Sequence, residues 1–239
     1  MSLKEMIFKR KSVRSFVNAP IGPKTIAGIE KFISEIRPLY PDIKVKAEIV
    51  KKEDVKCICP WTTNQLVAIF TEDKPGAMVN VGFMFQQLDL YLAEIGLGAC
   101  WLGMAQWEGE KEREDGLKFV ITLAFGKPKG NGQREDLTKF KRKNLTEISD
   151  EQDARLVPAR LAPSSVNSQP WYFVHDGEVI HAYCTHKGLL NKALVNVNRI
   201  DVGIALAHMY VANEETFEFF QSPQPPVQKD RTYMGSFRI

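Results

Sequence analysis

The stretch Ala162-Pro163-Ser164-Ser165-Val166-Asn167-Ser168-Gln169-Pro170-Trp171 is the part of the chain on which the reading turns. Pro, Ser and Asn pre-set turns, and their small side chains let backbone approach a ligand closely. Asn167 and Gln169 each carry donors and acceptors, a set that suits an imide edge. The same composition describes a polar loop leading into a strand, and Trp171-Tyr172-Phe173-Val174 reads as the start of one. That strand continues as a hairpin through WYFVHDGEVIHAYC, with Asp176-Gly177 at the turn.

Outward from this stretch the pattern is regular. Residues 149–165 begin with a cap-like Ser149, then acidic residues, then an apolar periodicity that predicts a helix. Residues 198–214 predict a mostly apolar helix; a Pro-rich run (222–226) and a terminal MGSFRI follow. The polar run 129–144 reads as a linker. Before it, residues 3–16 predict a basic amphipathic helix, and Pro23 opens a second one with Ile26, Ile29, Phe32 and Ile33 at helical spacing. Residues 43–50 alternate as an exposed-face strand does, and 66–70 and 119–128 are apolar runs of buried-strand type. Val79 to Ile95 is apolar around most of a helix, the mark of a central or interface element, and Gly96-Leu97-Gly98 closes it with the residue a left-handed cap prefers.

The two parts echo each other. Val79-Asn80-Val81-Gly82-Phe83 matches Ile200-Asp201-Val202-Gly203-Ile204 in character, and each opens an apolar helix. Ile36-Arg37-Pro38 stands before a strand as Leu161-Ala162-Pro163 does, and MGSFRI pairs with ITLAFG. This self-similarity implies an internal duplication.

Composition narrows the class. With 44% hydrophobic and 26% charged residues, the 239-residue chain is that of an ordinary globular protein. The 32 basic and 29 acidic residues leave a net charge of +3. The basic runs Lys9–Lys11 and Lys139–Lys143 are short and lack interleaved aromatics, so no nucleic-acid partner is expected. No leader-like apolar region and no run near ~20 apolar residues is present, so a soluble cytoplasmic protein is expected. Cys57 and Cys59 lack a second close pair, and Cys100 and Cys184 lie in apolar surroundings, so free thiols are expected. His175, His181, His186 and His208 show no metal-ligand spacing, and no metal is expected.

Two further motifs carry chemistry. Arg10, Ser12 and Arg14 can converge on one anion; two guanidiniums and a hydroxyl suit a phosphate, although a basic N-terminal helix is also an ordinary solvated face. Gly96-Leu97-Gly98-Ala99-Cys100-Trp101-Leu102-Gly103 offers small residues against which a flat ligand can lie, or simply a helix cap and tight turn.

Taken together, R-x-S-x-R (10–14), GLGACWLG (96–103), AFGKP (124–128), RKNLTEI (142–148) and P-S-S-x-N-x-Q-P-W (163–171) resemble the nitroreductase family of FMN enzymes. The resemblance implies an α+β fold, with mostly antiparallel central sheets flanked by helices. It also has a displaced part: the P-S-S-x-N segment ordinarily follows soon after R-x-S-x-R, whereas here it lies beyond GLG and RKNLTE. Family members are typically homodimers with the flavin at the interface, so the chain is expected to be a fused pseudo-dimer of two similar halves, 1–140 and 141–239, monomeric or a weak homo-oligomer, with one site.

Carried over residue by residue, the resemblance assigns the phosphate end to Arg10, Ser12 and Arg14, with Lys11 contributing. Arg142 matches the later phosphate-binding basic residue, with Lys141 or Lys143 as substitutes. Leu102 and Gly103 match the backbone facing flavin N5. Pro163, Ser164, Ser165 and Asn167 cover the ring. The implied activity is hydride transfer from NADH or NADPH, through FMN, to a nitroaromatic, quinone or other flat small-molecule acceptor, with no protein nucleophile or base. The alternatives are a non-catalytic FMN sensor or store, and a dehalogenating or flavin-cleaving relative.

Overall fold

The computed structural model describes residues 2–59, 61, 63–109, 113–186 and 195–239. Its first helix is much shorter than the sequence pattern predicts. Helix α1 covers only Leu3–Ile7, closed at its start by a Ser2–Glu5 capping box. From Arg10 the chain runs extended, bridging Arg10 to Gln133, Ser12 to Ala99 and Phe16 to Pro128. The Val13 N–H donates to the Ala99 carbonyl at 2.9 Å. Tertiary backbone partners here outcompete a local helix. Gly98 permits the approach, since a Cβ there would lie 2.4 Å from Val13 Cγ2. Arg10, Ser12 and Arg14 therefore share a face by strand alternation, not by helical convergence.

Helix α2 spans Pro23–Glu35 with proline in its first turn. Strands β1 (Val45–Val50), β2 (Val55–Lys56) and β3 (Gln65–Thr71) lead to helix α3 (Ala77–Glu94). Gly96, at φ 80°, takes the left-handed conformation that stops the helix. Strands β4 (Gly98–Leu102), β5 (Gln106–Trp107) and β6 (Lys118–Gly126) follow. The main sheet has the order β1-β3-β6-β4, and β2 pairs with β5 as a small separate ribbon. The run 129–144 is not a free linker: the Arg134 N–H donates to the Lys9 carbonyl at 2.7 Å and Gln133 Nε2 donates to the Ala93 carbonyl at 3.2 Å.

The second part contains α4 (Leu145–Ile148), α5 (Val157–Leu161), β7 (Trp171–Asp176), β8 (Val179–Thr185), α6 (Val195–Ala212), β9 (Glu218–Phe220) and β10 (Arg231–Arg238). The helix expected over 149–165 is reduced to α5 and a preceding turn. Its cap is Asp153, which accepts from the Arg155 N–H, while Ser149 bridges to Phe173 instead. The β7–β8 register pairs Asp176 with Val179, which puts Gly177 and Glu178 at the turn, one residue beyond the expected pair. The sheet order is β7-β8-β10-β9. With β2 and β5 set aside, both sheets join their first, second, fourth and third strands in the same order, and all the pairings are antiparallel. A long helix follows the second strand in each.

Those two helices, α3 and α6, form the centre. Both are buried around most of their circumference. They cross through a glycine pair. A Cβ on Gly82 would stand 2.0 Å from the Ile200 carbonyl oxygen, and a Cβ on Gly203 2.0 Å from that of Val79. Only glycine tolerates backbone contact this close. Further along, Gln86 Nε2 meets His208 Nε2 at 3.1 Å across the same interface. Among the described residues no helix is long and apolar enough to cross a membrane, and the four cysteines are free.

Candidate cofactor-binding site

The central helices position one loop in each part. Asn80 Oδ1 accepts from the N–H groups of Leu39 at 2.8 Å and Tyr40 at 3.0 Å, just after Pro38. Both carboxyl oxygens of Asp201 lie 3.1 Å from the Ser165 N–H, just after Pro163. The second loop is bent hard: Val166, Asn167 and Gln169 have φ of 46°, 56° and 48°. Left-handed backbone at a β-branched residue is strained, and such strain gathers at ligand sites.

Between that loop, α6 and strands β4 and β6 lies a cavity of about 500 Å³, within the range of small-molecule sites. Ser12, Arg14, Gly103, Pro163, Ser164 and Ser165 line it, so residues from both ends of the chain meet there. Its apolar wall comes from Ile121, Ile200, Ile204 and Met104, with Trp61 and Cys59 supplied by the segment after β2. Arg14 stands 5.5 Å over the Trp61 ring, and the buried Trp61 indole N–H faces the Cys100 thiol. Burial pushes the Cys59 thiol up to about 11, and raises that of Cys100 as well. Neither is a thiolate at neutral pH, so the cavity offers no sulfur nucleophile. A larger groove of about 720 Å³ beside Ser2–Lys4 and Asn213–Thr216 contains none of the candidate residues.

Five candidates lie outside the cavity lining: Arg10, Lys11, Leu102, Arg142 and Asn167. Arg10 is 1% exposed and pairs with the buried Asp89 of α3 at 3.1 Å, while its Nη2 donates to Ser12 Oγ at 3.3 Å. It thus fixes the orientation of a lining residue. Leu102 packs into a small core cluster beneath β4. Arg142 braces the strained loop, donating to the Ala162 carbonyl at 2.9 Å and to Asn167 Oδ1 at 2.8 Å. The Asn167 and Gln169 amides tie that loop to Lys141 and Lys143, at 3.0 and 2.8 Å. Lys143 Nζ donates to the Ser168 carbonyl at 2.9 Å.

One basic residue escaped the sequence reading. Arg134, in the supposed linker, donates to the Arg10 carbonyl. Burial lowers Arg134 to about 10, with Arg10 and Arg14 adding repulsion; burial lowers Arg142 to about 10 likewise, with Arg10, Arg134 and Arg160 adding to it. Guanidiniums that repel each other in a desolvated place are stabilised by an anion. Among the described residues, Arg14, Arg134 and Arg142 have no carboxylate partner. Nothing in the spacing of 129–144 marks Arg134, whose position depends on the pairing with Lys9 and Arg10.

Apolar walls, the hydroxyls of Ser12, Ser164 and Ser165, and the Arg14 guanidinium suit a largely apolar ligand that carries an anionic group. The residues present therefore fit FMN. The comparisons with known proteins agree on the class. The chain matches the family described as "Putative TM nitroreductase" over residues 2–213 and belongs to it. An oxidoreductase role goes with that membership. A crystal structure described as a putative nitroreductase from Thermotoga maritima is 20% identical, with 99% of this chain and 92% of that one covered at a TM-score of 0.65; it shows the same fold. A nitroreductase family protein of Clostridium difficile 630 is 13% identical, with 62% and 96% covered and a TM-score of 0.49. An FMN-dependent nitroreductase of C. difficile R20291 is 14% identical, with 59% and 98% covered at 0.43. No curated protein matches the sequence.

Proposed function

We propose that this protein binds one FMN per chain in the cavity shared by its two ends and works as an NAD(P)H-dependent reductase of flat small molecules in the cytoplasm. We also propose that residues 1–140 and 141–239 are the halves of a fused pseudo-dimer, so the chain acts as a monomer or a weak homo-oligomer. The observation that carries the reading is the meeting of Ser12, Arg14 and Gly103 with Pro163, Ser164 and Ser165 around one cavity.

When bound, FMN supplies hydride exchange between a reduced nicotinamide and a nitroaromatic or quinone. The chain does the rest. Arg14 and Ser12 hold the cofactor, with Arg10, Arg134 and Arg142 providing positive potential for its phosphate. The backbone of Leu102 and Gly103 would face the ring edge, and the 163–165 loop, held by Asp201 and Arg142, would cover it. The apolar wall excludes water, and exposed Met104 and Val166 at the rim (61% and 70%) receive an apolar acceptor.

The test is an anaerobic titration of purified protein with FMN, then NADH and NADPH. A stoichiometry of one, followed by bleaching of the flavin absorbance and its return with 1,4-benzoquinone, is expected. Two flavins per chain would overturn the single-site reading, and bound flavin that neither nicotinamide bleaches would overturn the catalytic one.

A further inference from the structure

The cavity wall contains an acid to which the cofactor reading gives only the task of holding the 163–165 loop. Asp201 is 3% exposed and borders the cavity. Among the described residues its protein hydrogen bond is to the Ser165 N–H, approached by both oxygens at 3.1 Å. The other half of the molecule supplies a control. Asn80 occupies the matching place on α3 and holds the matching loop with a neutral amide. A carboxyl is therefore not needed to hold such a loop, and burying one is costly where an amide would serve.

We propose that Asp201 is a proton donor to the second substrate in the cavity, an assignment that rests on the cofactor reading of that cavity. Reduction of a quinone by hydride consumes one proton for each hydride. The hydride comes from the reduced cofactor. The Asp201 O–H bond breaks as a new O–H bond forms on the acceptor oxygen, and the carboxylate regains its proton from solvent at the cavity mouth.

The surroundings keep that proton in place at neutral pH. Burial pushes the carboxyl up to about 8, against the opposing bond from the Ser165 N–H. Among the described residues, the titratable and charged groups near it are Cys184 on β8, Arg199 on its own helix, and Arg14, Cys59 and Cys100 around the cavity. None of them forms an ion pair with it among the described residues. Among the described residues, the hydrogen-bond partner of Asp201 is the Ser165 N–H, a donor, so a proton on the carboxyl is left free to face the cavity that Asp201 borders.

Asp201→Asn separates this role from loop holding, because an amide oxygen can still accept from Ser165. The FMN-loaded protein is assayed with NADPH and 1,4-benzoquinone across pH. Wild type is expected to lose rate about tenfold per pH unit above about pH 8, whereas the variant runs on the order of 100-fold slower below pH 8 and is flat with pH. FMN affinity is expected to be the same in both. A second readout needs no turnover: protein without FMN should show an infrared band of a protonated carboxyl that titrates near pH 8 and is absent from Asp201→Asn. Coincident rate profiles, or a missing band, would overturn the proton-donor role while leaving the cofactor reading intact. Failure of FMN to bind either protein would overturn both.

Discussion

The two halves of this molecule build the same scaffold and diverge where a ligand would sit. Each has a four-stranded antiparallel sheet of the same order, a central helix and a loop clipped to that helix after a proline. Where Ser165 borders the proposed cofactor cavity, the matching Tyr40 fills its own side. Its hydroxyl donates to the Met234 carbonyl at 3.1 Å and accepts from Gln221 at 2.7 Å, and its ring lies 3.1 Å from where a Cβ on Gly76 would stand. A second cavity of about 520 Å³ remains beside it, without the arginine cluster. The lesson is that packing constrains the scaffold in both halves, whereas the residues around the two cavities differ: the arginine cluster stands at one of them.

The helix crossing is where that comparison breaks most readily. Gly82→Ala and Gly203→Ala each force a methyl into a carbonyl 2.0 Å away, so the helices must part. Each is expected to cost more than about 3 kcal/mol and to lower Tm by roughly 10 °C, read by scanning calorimetry. A variant that melts with the wild type would show that the helices do not touch there.

Asn80→Asp asks whether the two loop clips are equally desolvated. A carboxyl placed there should have its folded pKa raised, as that of Asp201 is. Such a group contributes stability that is present below the ordinary carboxylate range and lost as pH rises through the folded value. Relative to wild type, the variant should therefore lose about 3 kcal/mol between pH 4 and pH 7 in urea unfolding. A gap that stays constant with pH would mark the two clips as unlike.

His208 has the opposite sign. Burial pushes its imidazole down to about 3, with Arg10 and Arg142 adding to the effect, so it is neutral when folded and held between Gln86 and the Pro158 carbonyl. Its contribution is present above the ordinary histidine value and lost as pH falls below it, about 2 kcal/mol by pH 5. His208→Gln should flatten that limb. Because Gln86 also accepts from the indole of cavity-lining Trp101 at 3.3 Å, the same variant should disturb the fluorescence of Trp101.

The smallest effect belongs to the loop brace. Arg142→Lys loses a planar fork that reaches the Ala162 carbonyl and Asn167 together. FMN affinity should fall about tenfold with little change in Tm, measured by flavin fluorescence. Unchanged affinity would confine Arg142 to the fold.

Much of the architecture was legible from local signals. Proline at the start of α2, the left-handed Gly96 and the β7–β8 hairpin around Gly177 act through neighbouring atoms, so the sequence reports them, the turn to within one residue. Failures fell where distant segments decide. The 3–16 helix gave way because Ala99 and Gln133 offered backbone partners, and Ser149 left its capping role to pair with Phe173. Of the site, the lining role of Ser12, Arg14, Gly103 and the 163–165 loop followed from motifs, while Trp61 and Arg134 stood in stretches with no motif to single them out and Cys59 was marked only as half of a C-x-C pair.

By itself the sequence determined the central helices, the buried strands, the likeness of 79–83 to 200–204, and the family. Tertiary structure alone decided that Arg10 is locked to Asp89 while Arg14 borders the cavity, that Ser165 borders one cavity while the matching Tyr40 is bonded to Met234 and Gln221, and that burial raises the Asp201 carboxyl. The division has a physical cause. Propensity, capping and turn geometry act over a few bonds, whereas burial and charge state depend on atoms brought together from opposite ends of the chain.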